Sequence, residues 1–276
     1  MLGINDKIQG SWIMSDKMDF EDIIYEKKEG VAKIILNRPK AYNAFLTNTL
    51  KEITLALEDA ELDSSVGVIV LTGVGEKAFC TGGDLTEASQ EGGYSKDMDY
   101  WHTAVHRALR SIPKPVIAAV NGYAIGGGHI LHLICDLSIA SENARFGQAG
   151  PRVGSFDMGF GGSYLTRVVG EKKAREIWFL CRQYSSQEAL EMGLVNKVVP
   201  LDKLEEEVDQ WCREILALSP TALKFCKLAF NAETDHQYGS EAWSMASVRM
   251  FWSSKEAEEA KKAFAEKRKP DFSKYR

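Results

Sequence analysis

Three short apolar runs constrain the fold of this chain more than any other feature: Val66 to Thr72, Val116 to Val120 and Leu137 to Ala140. A strand with one wet face alternates apolar and polar residues. A run without that alternation is buried on both faces, as in a parallel sheet covered by helices. Helical stretches separate the runs. Thr47 to Asp63 carries Leu50, Ile53, Leu55 and Leu57 among polar residues, and Asp97 to Ser111 ends ahead of Pro113 and Pro115. Strand and helix alternating in this way predict an α/β fold built on a parallel sheet.

A pair of strands precedes this core, Ile23 to Tyr25 and Val31 to Leu36, around the turn Lys28-Glu29-Gly30. Asn37-Arg38-Pro39 breaks the second strand. Beyond Pro200 the pattern changes. Lys203 to Leu218, Pro220 to Glu233 and Ser240 to Lys267 read as helices with no strand between them. The expected organisation is an N-terminal extension (residues 1–18), a βα core (19–200) and a C-terminal helical region (201–276).

Several classes of function are disfavoured by composition. The net charge of −5 over 276 residues does not provide the basic footprint of a nucleic-acid binder or a polybasic membrane surface. No apolar run reaches the length of a membrane span, and Met1 to Phe20 lacks the apolar stretch of a secretory signal. The cysteines are odd in number, five, and none forms a Cys-x-x-Cys pair. They read as reduced thiols of a cytoplasmic protein, with neither a disulfide framework nor a cysteine zinc site, and no metal is expected.

Two glycine-rich turns carry the chemistry. Ala78-Phe79-Cys80-Thr81-Gly82-Gly83-Asp84 follows one buried strand, and Asn121-Gly122-Tyr123-Ala124-Ile125-Gly126-Gly127-Gly128 links another to a helix. Glycines let the backbone come close to a ligand, and a helix N-terminus offers free N–H groups. Side by side, two such turns aim two N–H donors at one oxygen, which is an oxyanion hole. The P-loop and dinucleotide-binding glycine spacings are both absent.

These turns occur in order with Asn37-Arg38-Pro39, Asn43-Ala44, Pro113-Lys114-Pro115, Cys135-Asp136, Phe146-Gly147 and Ala189…Gly193-Leu194-Val195. The set resembles the crotonase (enoyl-CoA hydratase/isomerase) superfamily over roughly residues 19–276. The resemblance implies a crotonase-like ββα spiral core, a homotrimer or homohexamer built through the C-terminal helices, and a coenzyme A thioester as substrate, with no permanently bound cofactor. It implies that Gly83 and Gly127 donate the oxyanion-hole N–H groups to a thioester enolate. Asn43, Ala44, Cys80, Gly82 and Asp84 fall in the motifs that hold the coenzyme A end, and Lys267 matches a lysine that contacts it from a neighbouring subunit.

Hydratases of the superfamily carry two glutamates that handle water. This chain has Ile130 and Gly150 at those positions, and neither can move a proton. Ser155 and Asp157 stand two residues apart just beyond, so in an extended loop both face one side. A hydroxyl can donate to an oxyanion and a carboxylate can take a proton. Gly-Ser-x-Asp in this frame, with Lys172-Lys173-Ala174-Arg175-Glu176-Ile177-Trp178 after it, resembles two groups. One is 1,4-dihydroxy-2-naphthoyl-CoA synthase, which closes a ring by Claisen condensation. The other is 2-ketocyclohexanecarboxyl-CoA hydrolase, which opens one by the reverse step. The synthase group implies a bicarbonate as external base at Gln148, Gly150 and Trp178. Tyr94 matches a synthase active-site tyrosine, and His129 is a candidate polar pocket residue. Trp252 stands where both groups place a substrate-touching tyrosine. Phe45-Leu46 replaces the synthase Phe-Arg, and Thr86 and Ala88 replace its basic residues. These departures favour ring opening over ring closure as the expectation. A non-catalytic crotonase-fold binding protein is the third reading, disfavoured by the acidic balance and the intact glycine turns.

Overall fold

The computed structural model describes residues 19–90, 96–156 and 159–276, with the side chains of residues 88–90 left aside. The expected N-terminal extension, together with Tyr94 and Asp157, lies outside the described residues. The first sheet has six strands: β1 (Ile23–Lys28), β2 (Val31–Leu36), β3 (Val68–Gly73), β5 (Val116–Val120), β7 (Leu137–Ser141) and β10 (Lys197–Val199). They lie side by side in that sequence, with β1 and β2 antiparallel and every other pairing parallel.

All three apolar runs fall in the middle of this sheet, and every residue of β3 and β5 is buried. Both faces are covered. Val68, Val70, Ile117, Ala119 and Ile139 pack on one side against Leu204, Val208 and Cys212 of a C-terminal helix, while Ile69, Leu71, Val116 and Ala118 point into the main core.

A second sheet was not legible in the sequence. The stretches read as glycine turns contain β4 (Ala78–Cys80) and β6 (Tyr123–Ile125), and these pair with β8 (Arg145–Gly147) and β9 (Gln183–Ser185) in the order β4-β6-β8-β9. Each is three residues long, too short to show periodicity. Three of the four also follow a strand of the large sheet: β3 leads to β4, β5 to β6 and β7 to β8. The chain thus climbs by repeats of one long-sheet strand, one short-sheet strand and a helix, which is the ββα spiral.

The helices are α1 (Thr47–Leu62), α2 (Leu85–Gln90), α3 (Lys96–Ser111), α4 (Gly127–Ile134), α5 (Gly150–Val153), α6 (Phe160–Val169), α7 (Glu171–Leu180), α8 (Ser186–Glu191), α9 (Leu204–Leu216), α10 (Pro220–Ala232), α11 (Tyr238–Trp252) and α12 (Lys255–Ala265). On α1, Leu50, Ile53, Ala56, Leu57 and Ala60 recur at helical spacing and are all fully buried. The single helix expected over Ser240 to Lys267 is two, α11 and α12. Ser254 divides them, adopting an extended backbone and capping α12 by accepting a hydrogen bond from the Ala257 N–H. No helix of the described residues is long and apolar enough to cross a membrane.

Candidate active site

The short sheet brings the two glycine turns together. Gly82, with φ +89°, lies so close to the second turn that a Cβ there would stand 2.9 Å from the Gly127 nitrogen. A Cβ on Gly127 would in turn meet the Phe45 ring at 2.7 Å. Only glycine fits at these contacts. The first turn is clamped to β-like geometry, since the Phe45 N–H donates to the Gly82 carbonyl and the Asp84 N–H to the Phe45 carbonyl, both at 2.9 Å. Gly126 donates to the Gly147 carbonyl at 3.0 Å, anchoring the second turn to β8.

These anchors leave two N–H groups over. Among the described residues, neither Gly83 nor Gly127 donates a hydrogen bond within the chain. Gly127 opens α4, so its N–H has no acceptor within the helix and sits at the positive end of the helix dipole. Gly83 and Gly127 both line one cavity of about 640 Å³. Two free N–H donors at the wall of a chamber with mostly apolar walls can hold an oxygen on which negative charge develops.

The cavity wall sorts the other candidates. Ala44, Gly82, Asp84, Gln148, Gly150, Ser155 and Trp178 line it. Ile130 and Gly150, the positions of the hydratase glutamates, both face it. Asp84 is the only carboxylate among the described lining residues, and the Arg38 guanidinium holds it at 3.0 Å. Burial alone would raise its pKa, but hydrogen bonds from Thr86 and Arg38 outweigh burial and hold it below the usual carboxylate range. The Gln148 side chain is 3% exposed, and its Nε2 has no protein partner among the described residues. At Gly150 a Cβ would lie 3.0 Å from the Phe156 Cα and 3.1 Å from the Phe156 nitrogen. The backbone of the Ser155 loop therefore occupies the space a side chain at 150 would need.

The other candidates are placed by what packs on them. His129 is not a pocket residue. It is fully buried on the inner face of α4, stacked on His132 at 5.1 Å and edge-on to Phe146. Burial pushes its pKa down to about 4, so it stays neutral. Trp252 does not line this chain's cavity. It is buried at the end of α11, with the Lys261 ammonium 4.5 Å from its ring centre. Asn43 faces away from the cavity and donates to the carbonyls of Val74 and Ala78. The Cys80 thiol is fully buried, its pKa pushed up to about 12 by burial, and it accepts from the Gly82 N–H. Both brace the first turn from behind. Lys267 lies beyond α12 with φ +54° and does not line its own chain's cavity; the contact expected of it is with a neighbouring subunit. Trp178 reaches the wall, yet its indole N–H already donates to the Gly161 carbonyl at 2.7 Å. That leaves it no N–H for a bicarbonate.

Sequence reading passed over His102, Met98, Phe156, Gln183 and Phe264, which all line the cavity. Only His102 left a trace in the sequence: it stands four residues before His106, the spacing that puts two side chains on one helix face.

The family pattern described as enoyl-CoA hydratase/isomerase matches residues 26–275. The chain belongs to that family. An enoyl-CoA hydratase/isomerase from Xanthobacter autotrophicus Py2 is 32% identical with a TM-score of 0.82, the match covering 90% of this chain and 93% of that one. A carnitinyl-CoA hydratase from Mycobacterium avium is 32% identical with a TM-score of 0.81, covering 91% and 97%. An enoyl-CoA hydratase from Mycobacterium avium subsp. paratuberculosis K-10 is 29% identical with a TM-score of 0.81, covering 92% and 99%. This crotonase-family membership and the cavity with its paired glycine N–H groups make the chain an acyl-CoA enzyme.

Proposed function

We propose that this enzyme breaks a ring carbon–carbon bond next to the thioester of a β-oxoacyl-CoA. The observation that carries the reading is the composition of the cavity wall. A hydratase needs groups that move protons to and from water on the enoyl double bond. Beside the glycine turns the described wall offers one carboxylate, already paired with Arg38. Isoleucine fills one glutamate position, and the Ser155 loop crowds the other.

Ring opening fits what stands there instead. Water adds to the β-ketone carbon, and the resulting alkoxide accepts a hydrogen bond from the Ser155 hydroxyl. The alkoxide then re-forms a C=O bond as the carboxylic acid, and the ring C–C bond breaks toward the thioester. Its electron pair becomes the enolate, whose oxygen the Gly83 and Gly127 N–H groups hold. A proton delivered to the α-carbon completes the dicarboxylic mono-CoA product. Asp157 is the proposed base for water.

A second reading, ring closure by a synthase of the naphthoyl-CoA type, draws support from Gln148. Its unpartnered amide at the wall is a donor suited to an anion such as bicarbonate. Assembly as a trimer or hexamer is proposed as well: copies of this chain would cover Phe230, Trp243 and Met250, which are 66–80% exposed on α10 and α11.

The deciding experiment incubates the enzyme with 2-oxocyclohexanecarboxyl-CoA in ¹⁸O-water and follows product by mass spectrometry. A ring-opened mono-CoA carrying label from water is the expected product. Inactivity on this thioester, together with turnover of o-succinylbenzoyl-CoA without uptake of water, would overturn ring opening.

A further inference from the structure

One cluster of chemistry-bearing side chains lies outside the glycine turns and plays no part in the reaction proposed above. His102 and His106 stand four residues apart on α3 and turn to the same side. Glu241 reaches them from α11, and all three are buried, at 2%, 0% and 1% exposure. One donor atom from each lies within 4.8 Å of the others, and the His106 Nδ1 is 3.0 Å from a Glu241 carboxylate oxygen. The two imidazole rings are 4.2 Å apart, centre to centre.

Hydrogen bonding within the chain leaves this cluster incomplete. The His102 Nδ1, the His106 Nε2 and the second Glu241 oxygen are each buried without a protein partner among the described residues. Polar atoms shut away from water are normally paired, so three orphans of ligand type in one place call for a common partner. The surroundings do not supply one: Phe45 stands 6.0 Å from the His102 ring and Phe160 6.1 Å from the His106 ring. Two cations act on Glu241, Arg107 and Arg110, and both are directed elsewhere: Arg107 lies over the Tyr238 ring, and Arg110 donates to Thr234 at 2.7 Å and lies over the rings of Phe160, Tyr164 and Tyr238.

We propose that His102, His106 and Glu241 form a binding site for a divalent transition-metal ion of the zinc class. Two imidazoles and one carboxylate are a donor set that zinc takes in sites with an open coordination position. Imidazole also selects against magnesium and calcium, which prefer oxygen. Tetrahedral zinc bonds of the usual length put donors about 3.3 Å apart, so the cluster closes by rotations of three side chains. His102 also lines the acyl cavity. An ion here is therefore one side chain away from the bound acyl group, and its open position is available to a water or a substrate oxygen.

The test is metal binding, which is independent of any turnover assay. Chelator-stripped full-length protein is titrated with Zn²⁺ by calorimetry and with Co²⁺ by visible absorption. Uptake of one ion per chain is expected, with the intense bands of a low-coordinate cobalt site and a rise in melting temperature with Zn²⁺. Glu241→Gln and His106→Ala should each weaken binding at least about tenfold, whereas Gln148→Leu, at a residue outside the cluster, should leave it unchanged. Should either ligand variant fail to fold, histidine ring resonances of the wild-type protein decide: Zn²⁺ must shift those of His102 and His106. No stoichiometric uptake by the wild-type protein overturns the proposal. So does uptake that Glu241→Gln and His106→Ala leave intact, because the ion then sits elsewhere.

Discussion

Gly82→Ala, set beside Gly75→Ala, separates obstruction of the oxyanion hole from backbone strain. The new methyl group would lie 2.9 Å from the Gly127 nitrogen and 3.2 Å from the Ile125 carbonyl oxygen. It therefore covers or displaces one of the two donors. Loss of one such donor lowers kcat by about 10²–10³, equivalent to about 2.7–4 kcal/mol of transition-state stabilisation. The substitution also puts a Cβ on a residue with φ +89°, which costs about 1–2 kcal/mol of stability. In a chain of this size that lowers Tm by roughly 2–8 °C. Gly75 supplies the control. Its φ is +82°, and a Cβ there meets nothing within 4 Å. Gly75→Ala should carry the same backbone strain and a similar fall in Tm, with kcat unchanged. Steady-state kinetics on the ring-opening substrate and thermal melts of both variants complete the comparison. If Gly82→Ala keeps kcat within a few-fold of the wild type while folding normally, the Gly127 N–H is not a catalytic donor. If both variants lose activity equally, strain explains the effect and obstruction does not.

Gln148→Leu removes a buried amide nitrogen that has no protein partner. It should raise stability by about 1 kcal/mol, read as a higher Tm, while lowering kcat/KM. A fall in Tm would mean the amide is satisfied in the folded enzyme. Gly150→Glu should not create enoyl-CoA hydration in an absorbance assay on crotonyl-CoA, because the Phe156 backbone stands 3.0 Å from its Cβ. Appreciable hydratase activity would show that the Ser155 loop yields easily. Lys227 is 6% exposed and donates to Asp136 at 2.7 Å and to the carbonyls of Leu109 and Lys114. Lys227→Met should cost about 3–5 kcal/mol in denaturant unfolding near neutral pH. The deficit should shrink in acid. Burial already raises the Asp136 pKa, and removing Lys227 raises it further. The folded variant then binds a proton more readily than the unfolded chain, so its stability rises as pH falls toward the ordinary carboxylate range. A pH-independent deficit would exclude Asp136 as its origin.

The sequence by itself determined the large sheet. Val66 to Thr72, Val116 to Val120 and Leu137 to Ala140 lack alternation because both of their faces are covered, and that constraint is written locally in each run. It determined the two glycine turns for the same kind of reason: Gly82 and Gly126 hold positive φ values that other residues rarely adopt. The substitution of Ile130 and Gly150 for acidic residues was equally plain. Tertiary structure alone decided which residues reach the cavity. β4, β6, β8 and β9 are set by pairing between segments up to 45 residues apart, as between Ala78 and Tyr123, and runs of three residues carry no period of their own. His129 reads as a site residue beside the glycine turn, but α4 rotates it inward against His132 and Phe146. Trp252 and Cys80 are likewise placed by what packs on them. His102 and Glu241, 139 positions apart in the chain, meet only because α11 folds back on α3. Local preference is encoded residue by residue, whereas the direction a side chain faces follows from how whole elements pack against one another.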